Sequence, residues 1–547
     1  MTTSGEGRGD LLIRNAKVYT VDPDRPWAEA VAVRDGRIAA VGDDADALGA
    51  APRGAPEIDA AGRLVLPGFV DAHNHVRLGS DTDAVQLGDA TTLDEVRARI
   101  DAYATANPDR AWIVAEEWSY SALPEPRRPN ADDLEGVAPG RAVMVLSYDV
   151  HNAWLNREAL ARFGIGRGTT AVPFGHVERD ASDEPTGFVT DFAVMGLSRA
   201  GNAALAAQIP NFAPASAYDR LCHSLDLAAE CGITTIVEPQ NSVDDLSLFD
   251  RARLEGTLRS RLIAALFHPT GTTAADLDEF EEARRTYDDD RFRVGPVKLY
   301  IDDVAESHTA ALLEPYANDA STSGETFYAP QEFADVIVEL ERRGFQTFTH
   351  AIGDRGIRTA LDAVEHARHV HGPRDARHQL VHVELVHPDD LPRFGPLGVV
   401  ACMQPRHAAP DIVDVWREAV GSERWSRAFP WRSLAEHGAV LAFSSDWNVA
   451  QMEPLVGIYS AMTRADLRGG GAWTTEQTVD LPAAIAAYTA GAAYANFAEG
   501  DRGSVSRDKL ADLVVLSQDL FRLQPAEVLR TGVDLTIVGG DIVHEAR

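Results

Sequence analysis

Asp71-Ala72-His73-Asn74-His75 closes an apolar run, and two imidazoles spaced His-x-His beside a carboxylate form a donor set for a divalent metal. At a strand end, side chains alternate with period two, so His73 and His75 face the same side and both nitrogens reach one ion. Such a pair also arises by chance among 17 histidines, as two solvated loop residues. Its weight comes from His350, His382 and Asp446, each of which ends another apolar segment. Imidazole and carboxylate suit zinc and neighbouring metals, so a divalent metal, Zn first, is the expected cofactor.

Lys298 raises the question of one ion or two. It lies inside the apolar stretch Val294-Gly-Pro-Val-Lys-Leu-Tyr-Ile301, where an unpaired ammonium is costly to bury. The plain reading is a lysine that snorkels or pairs with Asp302. Against it, only Lys17, Lys298 and Lys509 are lysines among 51 basic residues, the other 48 being arginine. Arginine keeps its proton, whereas a buried lysine can become a neutral amine. A neutral amine combines with carbon dioxide to give a carbamate, a bidentate oxygen ligand able to bridge two metals. A second ion therefore depends on carboxylation of Lys298.

Composition narrows the remaining classes. Cys222, Cys231 and Cys402 are odd in number and widely spaced, which excludes a disulfide framework and a thiolate zinc cluster. A net charge of −33 repels phosphate backbones and anionic lipid surfaces. No apolar run approaches the roughly 20 residues needed to cross a bilayer. The first residues have neither a basic start nor an apolar stretch of the export type, so a cytoplasmic location is expected. The expected partner is a neutral or cationic small molecule, without nucleic acid or membrane, and a homo-oligomer stays open.

These residues need a scaffold that brings distant segments together. Eight apolar, mostly β-rich segments alternate with helix-like stretches: Leu64–His73, Ile233–Glu238, Leu262–Phe267, Val294–Ile301, Thr347–His350, Gln379–Val383, Val399–Met403 and Val440–Ser444. Eight is the number a closed (β/α)8 TIM barrel requires, although a doubly wound sheet shows the same alternation. The chemistry decides for the barrel. His73, His75, Lys298, His350, His382 and Asp446 belong to segments one, four, five, six and eight, toward the C-terminal ends where barrel function gathers.

Both chain ends read as short strands with Asp35-Gly36 and Gly539-Gly540 hairpin turns, and neither half-sheet covers its own apolar face. One small β-sandwich built from both is the economical solution. The α/β fold expected is thus residues 1–62 as the N-terminal half of the sandwich and 63–76 as barrel strand one. An inserted α/β lobe over the barrel mouth follows at 77–215, the rest of the barrel at 216–500, and the second half-sandwich at 501–547.

The phrases Leu66-Pro-Gly-Phe-Val-Asp-Ala-His-Asn-His75, Val297-Lys-Leu-Tyr300, His350-Ala-Ile-Gly-Asp-Arg355, Met403-Gln-Pro405 and Ser445-Asp446 resemble the amidohydrolase superfamily. Within it they are similar to the branch containing N-substituted formamide deformylases (amidohydrolase family 3). Tyr488-Thr489 and Gly503-Ser504, leading into Ala511-Asp-Leu-Val-Val-Leu516, extend the resemblance over nearly the whole chain. Three positions depart from the branch: Val381 where glutamate is usual, Asp302-Asp303 where Asp-Gly is usual, and Glu116-Glu117-Trp118 in a usually glycine-rich place. They surround the site without removing a ligand.

The resemblance implies a metal-dependent hydrolase cleaving a carbon–nitrogen bond of an amide or N-formyl compound. A bound metal lowers the pKa of water from ~15.7 toward ~7 and polarises a carbonyl. Asp446, besides being a ligand, would be the general base. Ester hydrolysis, deamination or decarboxylation at the same site are alternatives, as is a non-catalytic binding protein on this scaffold, which has no need of so many converging polar groups. Expected substrate contacts are His151, Trp118, Arg406 and His407, with Asp149 read as structural. Ser321-Thr-Ser-Gly324 is a candidate flap.

Overall fold

The computed structural model describes residues 9–546 apart from 80, 82, 124–126 and 469. Eight parallel strands follow one another around a TIM barrel in chain order. They are β1 (Phe69–Asp71), β2 (Ile233–Asn241), β3 (Arg261–Phe267), β4 (Phe292–Tyr300), β5 (Thr347–Ala351), β6 (Gln379–His382), β7 (Val400–Met403) and β8 (Leu441–Phe443). The seam between first and last strands is joined where the Ala72 amide donates to the Phe443 carbonyl at 3.4 Å.

Alternation along these strands explains why they read as unbroken apolar runs. Val297 and Leu299 of β4 point outward into the layer shared with the helices, while Phe348, Val381, Val400, Cys402 and Ala442 fill the barrel interior. Register then places Lys298 beside Phe348 and Tyr300 beside His350 on neighbouring strands. Val381, one of the departures from the family pattern, is one of these interior packing residues.

The apolar run Leu64–His73 is not one barrel strand, as its composition suggests. Leu64–Pro67 pairs with Leu513–Leu516 and Lys17–Tyr19 in a six-stranded sheet, and the barrel begins only at Phe69. Gly68 divides the two: a Cβ there would lie 2.2 Å from Thr234 Cγ2, so only glycine lets the chain pass this close to β2. The strand-one segment expected at 63–76 therefore contributes its first residues to the sandwich. That sheet faces the four-stranded sheet of Arg37–Gly42, Ala30–Arg34, Leu11–Arg14 and Glu57–Asp59. Ile13, Val31, Val33, Val65, Leu513, Val515 and Ile537 share their core, so both chain ends build one sandwich.

Between β1 and β2 the chain forms a seven-stranded sheet running from Ala171–Val172 to Val85–Gln86, with apolar clusters on both faces. Gln240 at the end of β2 ties this lobe to the barrel mouth. Its amide donates to the Ala193 carbonyl at 2.7 Å, its backbone oxygen accepts from Arg77 at 2.9 Å, and its Oε1 accepts from the Tyr300 hydroxyl at 2.6 Å. Among the described residues no helix is long and apolar enough to cross a membrane.

Candidate metal centre

The loops after β1 and β8 are zipped together, and this zipper makes the site. Asp446 N–H donates to the His73 carbonyl at 2.8 Å and His75 N–H to the Trp447 carbonyl at 2.6 Å. Asp71 fastens the same junction. Its carboxylate accepts from Ser445 N–H at 2.9 Å, the Ser445 hydroxyl at 2.5 Å and the Asn74 amide at 2.9 Å. Burial pushes its carboxyl up to about 6 against the pull of those donors. Asp446 and His382 both have left-handed backbone, φ 59° and 74°, a costly conformation for non-glycine residues that the surrounding bonds must hold.

The side chains converge as a result. Asp446 Oδ1 lies 3.1 Å from His73 Nε2 and 3.2 Å from His75 Nε2, and Oδ2 lies 3.6 Å from His407 Nε2 and 3.8 Å from His382 Nδ1. Donor atoms of His73, His382 and Asp446 all fall within 4.8 Å of one another, and so do those of His382, Glu384 and His407. The His350 ring lies 4.5 Å from that of His382 and stacks on Tyr300 at 4.7 Å.

Burial sets the charge states. It drives His73 down to about 3, with Asp446 opposing and Lys298 adding to the fall. Burial likewise lowers His75, and His350 and His382 well below their ordinary value, so all four are neutral near pH 7, as metal ligation requires. Burial alone would raise Asp446, but the surrounding histidines outweigh it and hold the carboxylate ionised. Lys298 is fully buried beneath this ring, and its Nζ has no hydrogen-bond partner among the described residues. It sits 4.6 Å from the Tyr300 ring centroid and 5.4 Å from that of Phe348. Burial brings its pKa down to about 8 despite the nearby Asp446. Asp302 does not pair with it, because its carboxylate is taken by the amides of Ala311, Ile352 and Gly353 at 2.8–3.0 Å. An ionised carboxylate ringed by neutral imidazoles, with an unpartnered amine below, fits a divalent metal.

A model of the amidohydrolase family matches residues 56–544. The chain belongs to the amidohydrolase family.

Two full-length relatives accompany that match. Protein LONG AFTER FAR-RED 3 of Arabidopsis thaliana is 29% identical over 97% of this chain and 91% of its own length. N-substituted formamide deformylase of Arthrobacter pascens is 28% identical over 96% and 97% respectively. A metal-dependent hydrolase of uncharacterised activity from Pyrococcus horikoshii superposes with a TM-score of 0.75 at 22% identity, over 94% of this chain and 99% of that one, a likeness of fold.

In this amidohydrolase the residues expected at the site divide into two groups. His73, His75, His151, His350, His382, His407 and Asp446 line one cavity. Lys298 lies beneath it. His407 is nearer the metal ligands than a remote substrate contact: its ring stacks parallel to that of His382 at 6.0 Å, and its Nδ1 is 3.7 Å from Glu384 Oε1. His151 reaches in from the lobe on a turn shaped by Asp149, which accepts from His151 N–H at 3.0 Å, the Ser147 hydroxyl at 2.5 Å and the Tyr120 hydroxyl at 2.9 Å. Burial would lower His151, but its ion pair with Asp303 outweighs this and raises it to about 9.

Trp118 and Arg406 are not brought to the cavity. Trp118 is 1% exposed and packs on Tyr120 and Trp154 inside the lobe, because the lobe needs large side chains for its own core. Arg406 grips Asp411 with two bonds of 2.6 and 2.5 Å and Gln451 with a third of 2.7 Å, which occupies its guanidinium in place. Ser321–Gly324 is not a free flap either. Thr322 and Ser323 carbonyls accept from Tyr316 and Leu312 amides, and Arg355 donates to the Gly324 carbonyl at 2.5 Å.

Sequence reasoning missed Tyr148, Tyr300, Glu306 and Glu384 in the cavity wall and Asp303 behind His151. Glu384 stands two residues beyond His382, a spacing that the His73/His75 logic applied again would have singled out.

Proposed function

We propose that this protein is a metal-dependent hydrolase that cleaves a carbon–nitrogen bond of an amide or N-formyl small molecule. The observation carrying this reading is the ionised Asp446 carboxylate held among four neutral histidines at the C-terminal end of the barrel. His73, His75, His350, His382 and Asp446 would hold the ion, and their nitrogen and oxygen donors favour zinc. When bound, a divalent metal supplies an acidified water and a polarised carbonyl.

The chain's own groups do the remaining work. Asp446 Oδ2 faces His407 and accepts the proton of the attacking water, then returns it to the leaving nitrogen. His151, kept protonated through its Nδ1 pairing with Asp303, leaves Nε2–H to donate to the substrate's developing oxyanion. Lys298, with its pKa brought near neutrality, adds as the free amine to carbon dioxide with loss of one proton, and the carbamate would hold a second ion. Full-length similarity to a formamide deformylase supports the choice of bond.

The test is turnover by the zinc-loaded protein of a panel of formamides, longer amides, esters and amines. Release of carboxylate from formamides or amides supports the reading, and activity confined to esters or amines overturns the bond assignment.

A further inference from the structure

The cavity is charged unevenly. Four carboxylates, Asp149, Glu306, Glu384 and Asp446, are in its wall; among the described residues no lysine or arginine is, and the protonated His151 is already paired with Asp303. Asp446 has its histidines and Asp149 its hydroxyl and amide donors. Glu306 and Glu384 are different. The hydrogen bond Glu306 receives is a long one, 3.5 Å from the Tyr148 hydroxyl, and no basic side chain among the described residues pairs with it. Glu384 is 5% exposed, and its Oε2 has no hydrogen-bond partner among the described residues although it borders the cavity.

Glu384 Oε1 has His407 Nδ1 3.7 Å away, so the unbonded oxygen is the one left for a ligand, and a buried carboxylate oxygen without a hydrogen bond is costly. The missing complement here is positive. Tyr148, which touches Glu306, adds an aromatic ring, and a ring next to carboxylates is the environment in which organic cations bind. Burial, reinforced by Glu384 and Asp149, pushes Glu306 up to about 8 although its own backbone amide and His151 pull the other way. Leu78, Val150, Leu197 and Ile412 line other parts of the wall and suit an alkyl portion.

We propose that the substrate carries a cationic nitrogen, as an ammonium, amidinium or guanidinium group, seated between Glu306, Glu384 and the Tyr148 ring while its scissile group faces Asp446. This rests on the hydrolytic reading above and adds the substrate class. The net charge of −33 acts in the same direction at longer range, drawing cations toward the protein.

Two matched pairs of probes separate this inference from the reading beneath it. N-pentylguanidinium and N-pentylurea differ chiefly in charge, and calorimetric titration of the native zinc-loaded protein should give at least about tenfold tighter binding of the cation. In Glu306→Gln that ratio should fall below about threefold. Equal or tighter binding of the urea by native protein overturns the inference, and this comparison needs no variant to fold. The mono-formyl derivative of cadaverine and neutral N-hexylformamide then report turnover. A higher kcat/KM for the cationic formamide supports both readings, and equal values overturn the cationic subsite alone. Tight guanidinium binding with neither formamide hydrolysed, nor any longer amide, overturns carbon–nitrogen hydrolysis and leaves the cationic subsite standing.

Discussion

Asp446 Oδ1 lies 3.1 Å from His73 Nε2 across the seam where the barrel's first and last strands meet. The same Oδ1 is 3.2 Å from His75 Nε2, so one carboxylate stands against both histidines, and the proposed mechanism gives it the roles of ligand and base. These two roles separate in Asp446→Asn. The amide keeps the shape and can still accept hydrogen bonds, but cannot take a proton. Turnover should fall at least about a hundredfold, in the range of a lost general base, with most of the metal retained by mass spectrometry. Retained turnover would remove Asp446 from that role.

Lys298 is held in the barrel floor with no hydrogen-bond partner among the described residues and its pKa lowered to about 8. If its carbamate holds a second ion, Lys298→Ala should bind about one ion fewer and recover part of its metal and activity in added propionate. Labelled carbon dioxide should also exchange into native protein and not into the variant. Unchanged metal content would assign Lys298 to a one-ion site.

His151 gives a pH signature. Its pKa is raised from 6.5 to about 9 in the folded state, so the folded protein binds its proton more tightly than the unfolded chain. That contribution is fully present below about pH 6.5 and is lost as pH rises through about 9, amounting to roughly 3 kcal/mol at most. Denaturant titrations of native protein and His151→Gln should therefore converge as pH rises across this window. A constant difference between them would contradict the His151–Asp303 pairing.

Trp118 fills the lobe core and lies away from the cavity. Trp118→Phe should lower the melting temperature through a packing defect of about 1–3 kcal/mol, and leave KM for the best amide unchanged. A raised KM at unchanged stability would return this residue to substrate contact.

The barrel was legible because its strands are buried on both faces and so stand out as apolar runs punctuated by polar strand ends. His73, His75, His350, His382 and Asp446 could be read from that position alone, and Lys298 from the rarity of lysine in this chain. The same double burial hid the break at Gly68, since Leu64–Pro67 is as apolar as the barrel strand that follows. Glu306 was hidden for the opposite reason. Among 84 acidic residues nothing local distinguishes this one as turned inward, whereas Glu384 carried a local signal in its spacing from His382. Trp118 and Arg406 looked like substrate contacts because burial inside the lobe and the Asp411 pairing depend on tertiary neighbours.

The most direct test of the central claim is amide turnover followed through removal and return of the metal. Exhaustive chelation should abolish hydrolysis of the best formamide or amide, and stoichiometric zinc should restore it in native protein but not in the His73→Ala, His75→Ala double variant. Full hydrolysis by protein shown to be free of metal would contradict the account.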